Sequence, residues 1–222
     1  MNLGLRELKI GYSPCVLAEV SSLNLKSGSA LPVIGDNGAG KSTFLRTLAG
    51  LQGPLGGEVI YEDESLRDLS LQELSEFRAF LFTERPLHAW LKVEDILLWS
   101  LPRRDQSSLS LLEEVIHTFG IQDFFKREFV RLSDGQMQKV MLARAFIQDT
   151  PVLFLDEPTI FLDIRIKYHV LEIIEQWARE KDKLILFSTH EWGWVCRQQK
   201  PLLHVNAQAR TIEETGPRQL IE

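Results

Sequence analysis

Residues 35–42 read Gly35-Asp36-Asn37-Gly38-Ala39-Gly40-Lys41-Ser42, a complete G-x-x-x-x-G-K-S segment set between a short apolar run and a helical pattern. Glycines at this spacing let the backbone curl until several N–H groups point at one phosphate. The lysine then reaches the outer phosphates, and the serine hydroxyl is placed to ligate Mg²⁺. The stretch predicts a nucleoside triphosphate site contacted by Gly35, Asn37, Gly38, Ala39, Gly40, Lys41, Ser42 and the next residue, Thr43. A glycine-rich turn with no ligand shares the spacing, so the rest of the chain has to decide between the two.

Upstream, the pattern predicts short strands over 5–10, 17–25 and 31–35, and downstream another over 58–61 after the turn-rich Gly53-Pro54-Leu55-Gly56-Gly57. A helix beginning at Lys41 carries Phe44, Leu45 and Leu48 toward a core and stops at Gly50. Pro32 has no N–H for a ladder, which places it at the first residues of its strand. From Leu71 to about Gln148 the pattern turns mostly helical, best over 109–119 and 133–146, with breaks at Pro86 and Pro102. Strands return as the unbroken apolar runs 152–155 and 184–187, of the kind found in parallel sheets covered on both faces. Between them Ile166, Val170, Ile173, Ile174 and Trp177 mark the apolar side of a helix, which makes the whole a βαβ unit.

The first of these two runs ends in Asp156-Glu157-Pro158. α/β sheets place ligands at such carboxyl ends. Asp156 is suited to hold Mg²⁺ and Glu157 to polarise a water attacking the γ-phosphate. A strand running into an ordinary turn has the same look. Leu132-Ser133-Asp134-Gly135-Gln136 opens the helix before it, and Ser133 with Gln136 three residues on is also a capping box. Ser188-Thr189-His190 closes the second apolar run.

With these segments the chain resembles the ATP-binding cassette family over essentially its whole length. The resemblance implies an α/β fold: a P-loop NTPase with a RecA-like, mostly parallel sheet core, an N-terminal antiparallel β subdomain and an inserted α-helical subdomain. A single domain over 1–222 would divide into a nucleotide-binding core (1–84 and 149–222) and a helical insert (85–148). Residues 132–136 resemble the signature LSGGQ, with Asp134 in place of the first glycine. In that family Ser133, Gly135 and Gln136 would face the ATP of a partner subunit, which implies a head-to-tail dimer. His190 matches the switch histidine and Leu162-Asp163 the dimer-contacting loop. Tyr12 sits where an aromatic ring stacks on adenine, although an ordinary strand-end tyrosine fits there too. The glutamine that ligates Mg²⁺ in the family has no counterpart near Phe82-Thr83-Glu84; Glu84 is the nearest equivalent, and its carboxylate would add charge beside the γ-phosphate. Thr-Glu at this place resembles ATPases of iron-siderophore, haem or cobalamin importers. Residues 91–96 resemble the lining of the groove that docks a permease, with Trp90 or Trp99 as an anchor or as core.

The implied activity is ATP hydrolysis with Lys41, Glu157 and His190 as catalytic residues and Ser42, Asp156 and Glu84 as metal ligands. The implied partners are transmembrane permease subunits, a second ATPase subunit (a homodimer being the simpler case) and, indirectly, an extracytoplasmic substrate-binding protein. A soluble cassette ATPase acting in cluster assembly or on a macromolecule is the alternative, and a regulatory nucleotide-binding module with little hydrolysis a third. Composition bears on these. A net charge of −6 argues against a broad nucleic-acid surface. No apolar run approaches the about 20 residues a membrane helix needs, and the N-terminus carries charges with no signal-like stretch, so the expected location is cytoplasmic, peripheral on the inner face of the membrane. Cys15 and Cys196 lack metal-site spacing and read as reduced packing residues. The residues after Lys200 are too few for a further domain.

Overall fold

The computed structural model describes residues 1–83 and 90–220. Among the described residues ten strands form one mixed sheet: β1 (Asn2–Tyr12), β2 (Cys15–Lys26), β3 (Ser29–Ile34), β4 (Gly56–Tyr61), β5 (Glu64–Ser65), β6 (Arg78–Leu81), β7 (Val152–Leu155), β8 (Leu184–Ser188), β9 (Leu202–Asn206) and β10 (Thr211–Thr215). Their order is β5-β4-β1-β2-β10-β9-β3-β8-β7-β6. The stretch β9-β3-β8-β7-β6 is parallel, while β5-β4-β1-β2 is an antiparallel arm. The two halves meet through β10, which is antiparallel to β9 and pairs with β2 only at Thr211 and Glu19.

Seven α-helices among the described residues accompany the sheet: α1 (Lys41–Leu48), α2 (Leu71–Phe77), α3 (Val93–Trp99), α4 (Gln106–Phe119), α5 (Asp134–Ile147), α6 (Ile164–Glu180) and α7 (Trp192–Gln198). Alternate residues of the unbroken apolar strands serve opposite cores. Val152, Phe154, Leu184 and Leu186 pack with α1 and the antiparallel arm. Leu153, Leu155, Ile185 and Phe187 pack with α3 to α7. That division is why both strands read as continuous hydrophobic runs rather than as alternating ones. On the helical side Phe146 of α5 meets Phe119 of α4 and Trp177 of α6 edge-on, with ring centroids 5.2 and 5.1 Å apart. Asp105 starts α4 by accepting from the Ser108 N–H, which with Ser107 holds its carboxyl down to about 2. Gly120 ends α4 in the left-handed conformation.

Five sequence expectations change. Pro32 is the fourth residue of β3, not among the first. It is accommodated because β9 joins β3 only at Val33 and Ile34, so the ladder on that side begins after the proline. Strand β6 interrupts the stretch expected to be mostly helical and pairs with β7 along its whole length. Strands β9 and β10 lie in a region where no strand was expected, and they join the two halves of the sheet. Cys15 is exposed at the start of β2 instead of packed, and both cysteines are free. Trp90 and Trp99 are also not core residues: they are 78% and 64% exposed.

Phe146→Ala removes the ring that holds α4, α5 and α6 together. The expected loss is about 3–5 kcal/mol of unfolding free energy in urea titrations, and a loss under about 1 kcal/mol would show that the three helices do not depend on this contact.

Candidate functional site

The loop between β3 and α1 has the curl that its glycines allow. Gly35 takes φ 152°, and a Cβ there would lie 2.4 Å from the Val205 carbonyl oxygen. Gly40 takes φ 107° at the head of α1. Both conformations are ones L side chains rarely adopt, so the loop's path depends on glycine. Lys41 Nζ donates to the carbonyls of Gly35 and Asp36 at 2.9 and 3.0 Å. Burial lowers its pKa, opposed by the charges of Glu157, Asp156 and Asp36. A cavity of about 260 Å³ opens over the loop, walled by Tyr12, Leu17, Asn37, Gly38, Gly40, Lys41, Ser42, Thr43 and Glu157. Tyr12, 57% exposed, brings its hydroxyl within 3.4 Å of Thr43 Oγ1. Ala39 is buried beside the loop in the core under α1.

Three strand ends converge on the other wall. Asp156, 1% exposed, follows β7. Its Oδ1 accepts from Ser42 Oγ at 2.9 Å and from Ser188 Oγ at 2.7 Å. Its backbone N–H donates to the Leu81 carbonyl, and its own carbonyl accepts from Thr83 Oγ1 at 3.1 Å. Ser188 Oγ also accepts the Glu157 N–H at 2.8 Å, so one hydroxyl orients two successive acidic residues. Glu157 has φ 50°, an uncommon conformation for a residue with a Cβ. Its Oε1 stands 3.3 Å from His190 Nε2. His190 follows β8, and the neighbouring Thr189 N–H donates to the Val33 carbonyl.

Ser133 caps α5 and forms the expected box: its hydroxyl accepts from the Gln136 N–H, and Gln136 Oε1 accepts from the Ser133 N–H. Ser133, Gly135 and Gln136 are not part of the phosphate-loop cavity wall. Gly135 instead packs against the 161–162 turn, where a Cβ would lie 3.3 Å from the Phe161 carbonyl oxygen. Glu84 lies outside the described residues. Three side chains that were not singled out turn out to be placed here: Ser188, Thr83, and Gln138, whose buried Nε2 donates to the Pro158 carbonyl at 2.9 Å. For Ser188 the signal was its place immediately before Thr189-His190; for Gln138 it was an amide on the otherwise apolar side of α5.

No group of three or more His, Cys, Asp or Glu side chains among the described residues is arranged to hold a metal by itself. A hydroxyl and a carboxylate 2.9 Å apart at Ser42 and Asp156 do suit Mg²⁺, which takes few protein ligands and completes its shell with water and phosphate oxygens.

A family model described as "ABC transporter" matches residues 18–160, more than half of the chain. An uncharacterised ABC transporter ATP-binding protein of Methanocaldococcus jannaschii is 32% identical over 194 residues, which is 83% of this chain and 66% of that protein. A probable siderophore transport system ATP-binding protein of Bacillus subtilis is 28% identical over 231 residues, 96% of this chain and 80% of that one. A dimeric post-hydrolysis ATP-binding cassette bound to ADP and Pi superposes with a TM-score of 0.82 at 22% identity, covering 97% of this chain and 99% of that chain. That last likeness establishes the fold.

Ser188→Ala leaves a buried carboxylate oxygen short of one donor and the Glu157 N–H without its acceptor. The expected cost is about 1–3 kcal/mol in chemical denaturation, whereas a change under about 0.5 kcal/mol would mean that water replaces the hydroxyl freely.

Proposed function

The chain belongs to the ABC transporter family and is an ATP-binding protein of that family, and on that premise we propose that two copies bind MgATP head to tail and power a separate permease. One observation carries the proposal. The phosphate loop and Glu157 wall one cavity, with His190 3.3 Å from Glu157, while the signature residues Ser133 and Gly135 lie outside that wall on the same chain. A second copy supplies the missing wall for the γ-phosphate, and this chain's signature completes the site of that copy.

In this reading Lys41 and the loop amides hold the β- and γ-phosphates, and the opposite copy's signature serine and glycine amide face the γ-phosphate. Glu157 accepts a hydrogen bond from the attacking water, and His190, beside it, helps fix that water in line. As water oxygen bonds to the γ-phosphorus, the bond to the β-phosphate bridging oxygen breaks, and the charge passes to ADP. Ser42 and Asp156 would hold Mg²⁺, which supplies neutralisation of phosphate charge when bound. Tyr12 offers its face to the adenine base.

No helix among the described residues is long and apolar enough to cross a membrane. The transport step therefore requires a membrane partner, and the exposed Trp90 and Trp99 offer it aromatic anchors. The protein then sits peripherally on the cytoplasmic face. The proposed cargo is an iron-siderophore, haem or cobalamin, imported with an extracytoplasmic binding protein delivering it; the similarity to a probable siderophore transport ATP-binding protein supports the first of these.

Glu157→Gln should keep ATP binding and lower turnover about 10²-fold or more, read by phosphate release alongside equilibrium nucleotide binding. Turnover near that of the unaltered protein would remove Glu157 from the reaction. The same variant, trapped with MgATP in mild detergent extracts of its own cells, should co-purify with a polytopic membrane protein. Recovery of soluble partners alone, from a trap shown to dimerise, would overturn the transport reading in favour of a soluble cassette ATPase.

A further inference from the structure

A second cavity, of about 330 Å³, lies behind the signature segment, walled by the end of α4, by α5 and by the first half of α6. Every charged or titratable side chain in its wall is basic: His117, Lys139, Arg165 and His169. Phe119, Val170 and Ile173 give it an apolar floor.

Part of this convergence has a local explanation. Lys139 Nζ lies over the C-terminal end of α4, 3.9 Å from where a Cβ on Gly120 would sit, and helix-end carbonyls attract a cation. His117 Nδ1 is engaged by Gln122 Nε2 at 2.7 Å. Arg165 and His169 have no such account, since their side chains make no ion pair or hydrogen bond among the described residues. No carboxylate among the described residues lines the cavity wall. Glu114 pairs with Lys181 at 2.9 Å, and Asp163 accepts the Arg165 and Ile166 N–H groups. The formal charges of Lys139 and Arg165 beside a half-apolar cleft repel each other unless an anion joins them.

We propose that this cavity binds a small organic anion, a carboxylate or phosphate ester with an apolar body. Its charge meets Arg165, Lys139 and His169, and its body lies on Phe119, Val170 and Ile173. The volume falls in the range of small-molecule sites. Bound there, the anion ties α4, α5 and α6 together. The head of α5 carries Ser133 and Gly135, and α6 begins just after the turn that Gly135 packs against. Occupancy thereby regulates ATP turnover; this consequence alone rests on the function proposed above.

The test is calorimetric titration of phenyl phosphate into the full chain saturated with MgADP, which keeps the phosphate loop filled. Phenol and inorganic phosphate serve as probes lacking the charge and the body. Phenyl phosphate should bind about tenfold more tightly than either, and Arg165→Gln and Lys139→Gln should each weaken it several-fold. Arg165 is exposed in the first turn of α6, so its variant stays interpretable if Lys139→Gln fails to fold. Absence of binding, affinity equal to that of phenol, or indifference to both substitutions would overturn the site. A protein that takes up phenyl phosphate but not MgADP would instead keep this site and sink the ATPase reading.

Discussion

One carboxylate oxygen holds the site together. Asp156 Oδ1 receives hydroxyls from Ser42 on α1 and Ser188 at the end of β8, and the backbone of the same residue is tied to β6 and Thr83. Three segments distant in sequence, α1, the end of β8 and the stretch from β6 to Thr83, are thus tied to this one buried residue. The charge is tolerated because both donors are supplied by rigid element ends. The phosphate loop, the acidic turn and the histidine hold their relative positions because they share this anchor. A glycine-rich curl alone would give a place for phosphate but no fixed relation to the groups that act on it.

The sequence was legible wherever one residue type had one physical reason to be present. The loop glycines, the capping residue Ser133 and the apolar runs that become β7 and β8 each carried their meaning locally. The ATP-binding cassette fold followed from several such segments in their proper order. What escaped was set by partners far along the chain. β6 is only four residues long and carries no alternation, so its identity comes from lying beside β7. Pro32 reads as a strand start, and only the late arrival of β9 makes it tolerable inside the strand. Gln138 stands out only as an amide on an apolar helix side, and its purpose shows once the Pro158 carbonyl is placed opposite it.

The sheet is built from two unlike halves with a narrow seam. A parallel portion, apolar on both faces, carries the chemistry at its strand ends, and an antiparallel arm places Tyr12 beside the phosphate loop. Between them β10 joins the β2 ladder at one residue pair, reinforced by the Glu19 N–H donating to the Arg210 carbonyl at 2.9 Å. The arm's position is set mainly by apolar packing of β1 and β2 over α1. Tyr12 is accordingly held less firmly than Asp156, which suits the base-stacking role proposed for it, since that role aligns no reacting atom.

The Gln138 side chain acts as a strut. It spans from the middle of the first turns of α5 to the carbonyl just past Glu157, and it is buried. Tilting α5 while the acidic turn stays still would strand an amide and a carbonyl away from water, at about 1–3 kcal/mol. Tilting both together breaks nothing at that point. The helix that begins at Ser133 and the turn that presents Glu157 therefore behave as a single lever, so that pressure on one end of the molecule's helical face is felt as a change of aim at the other.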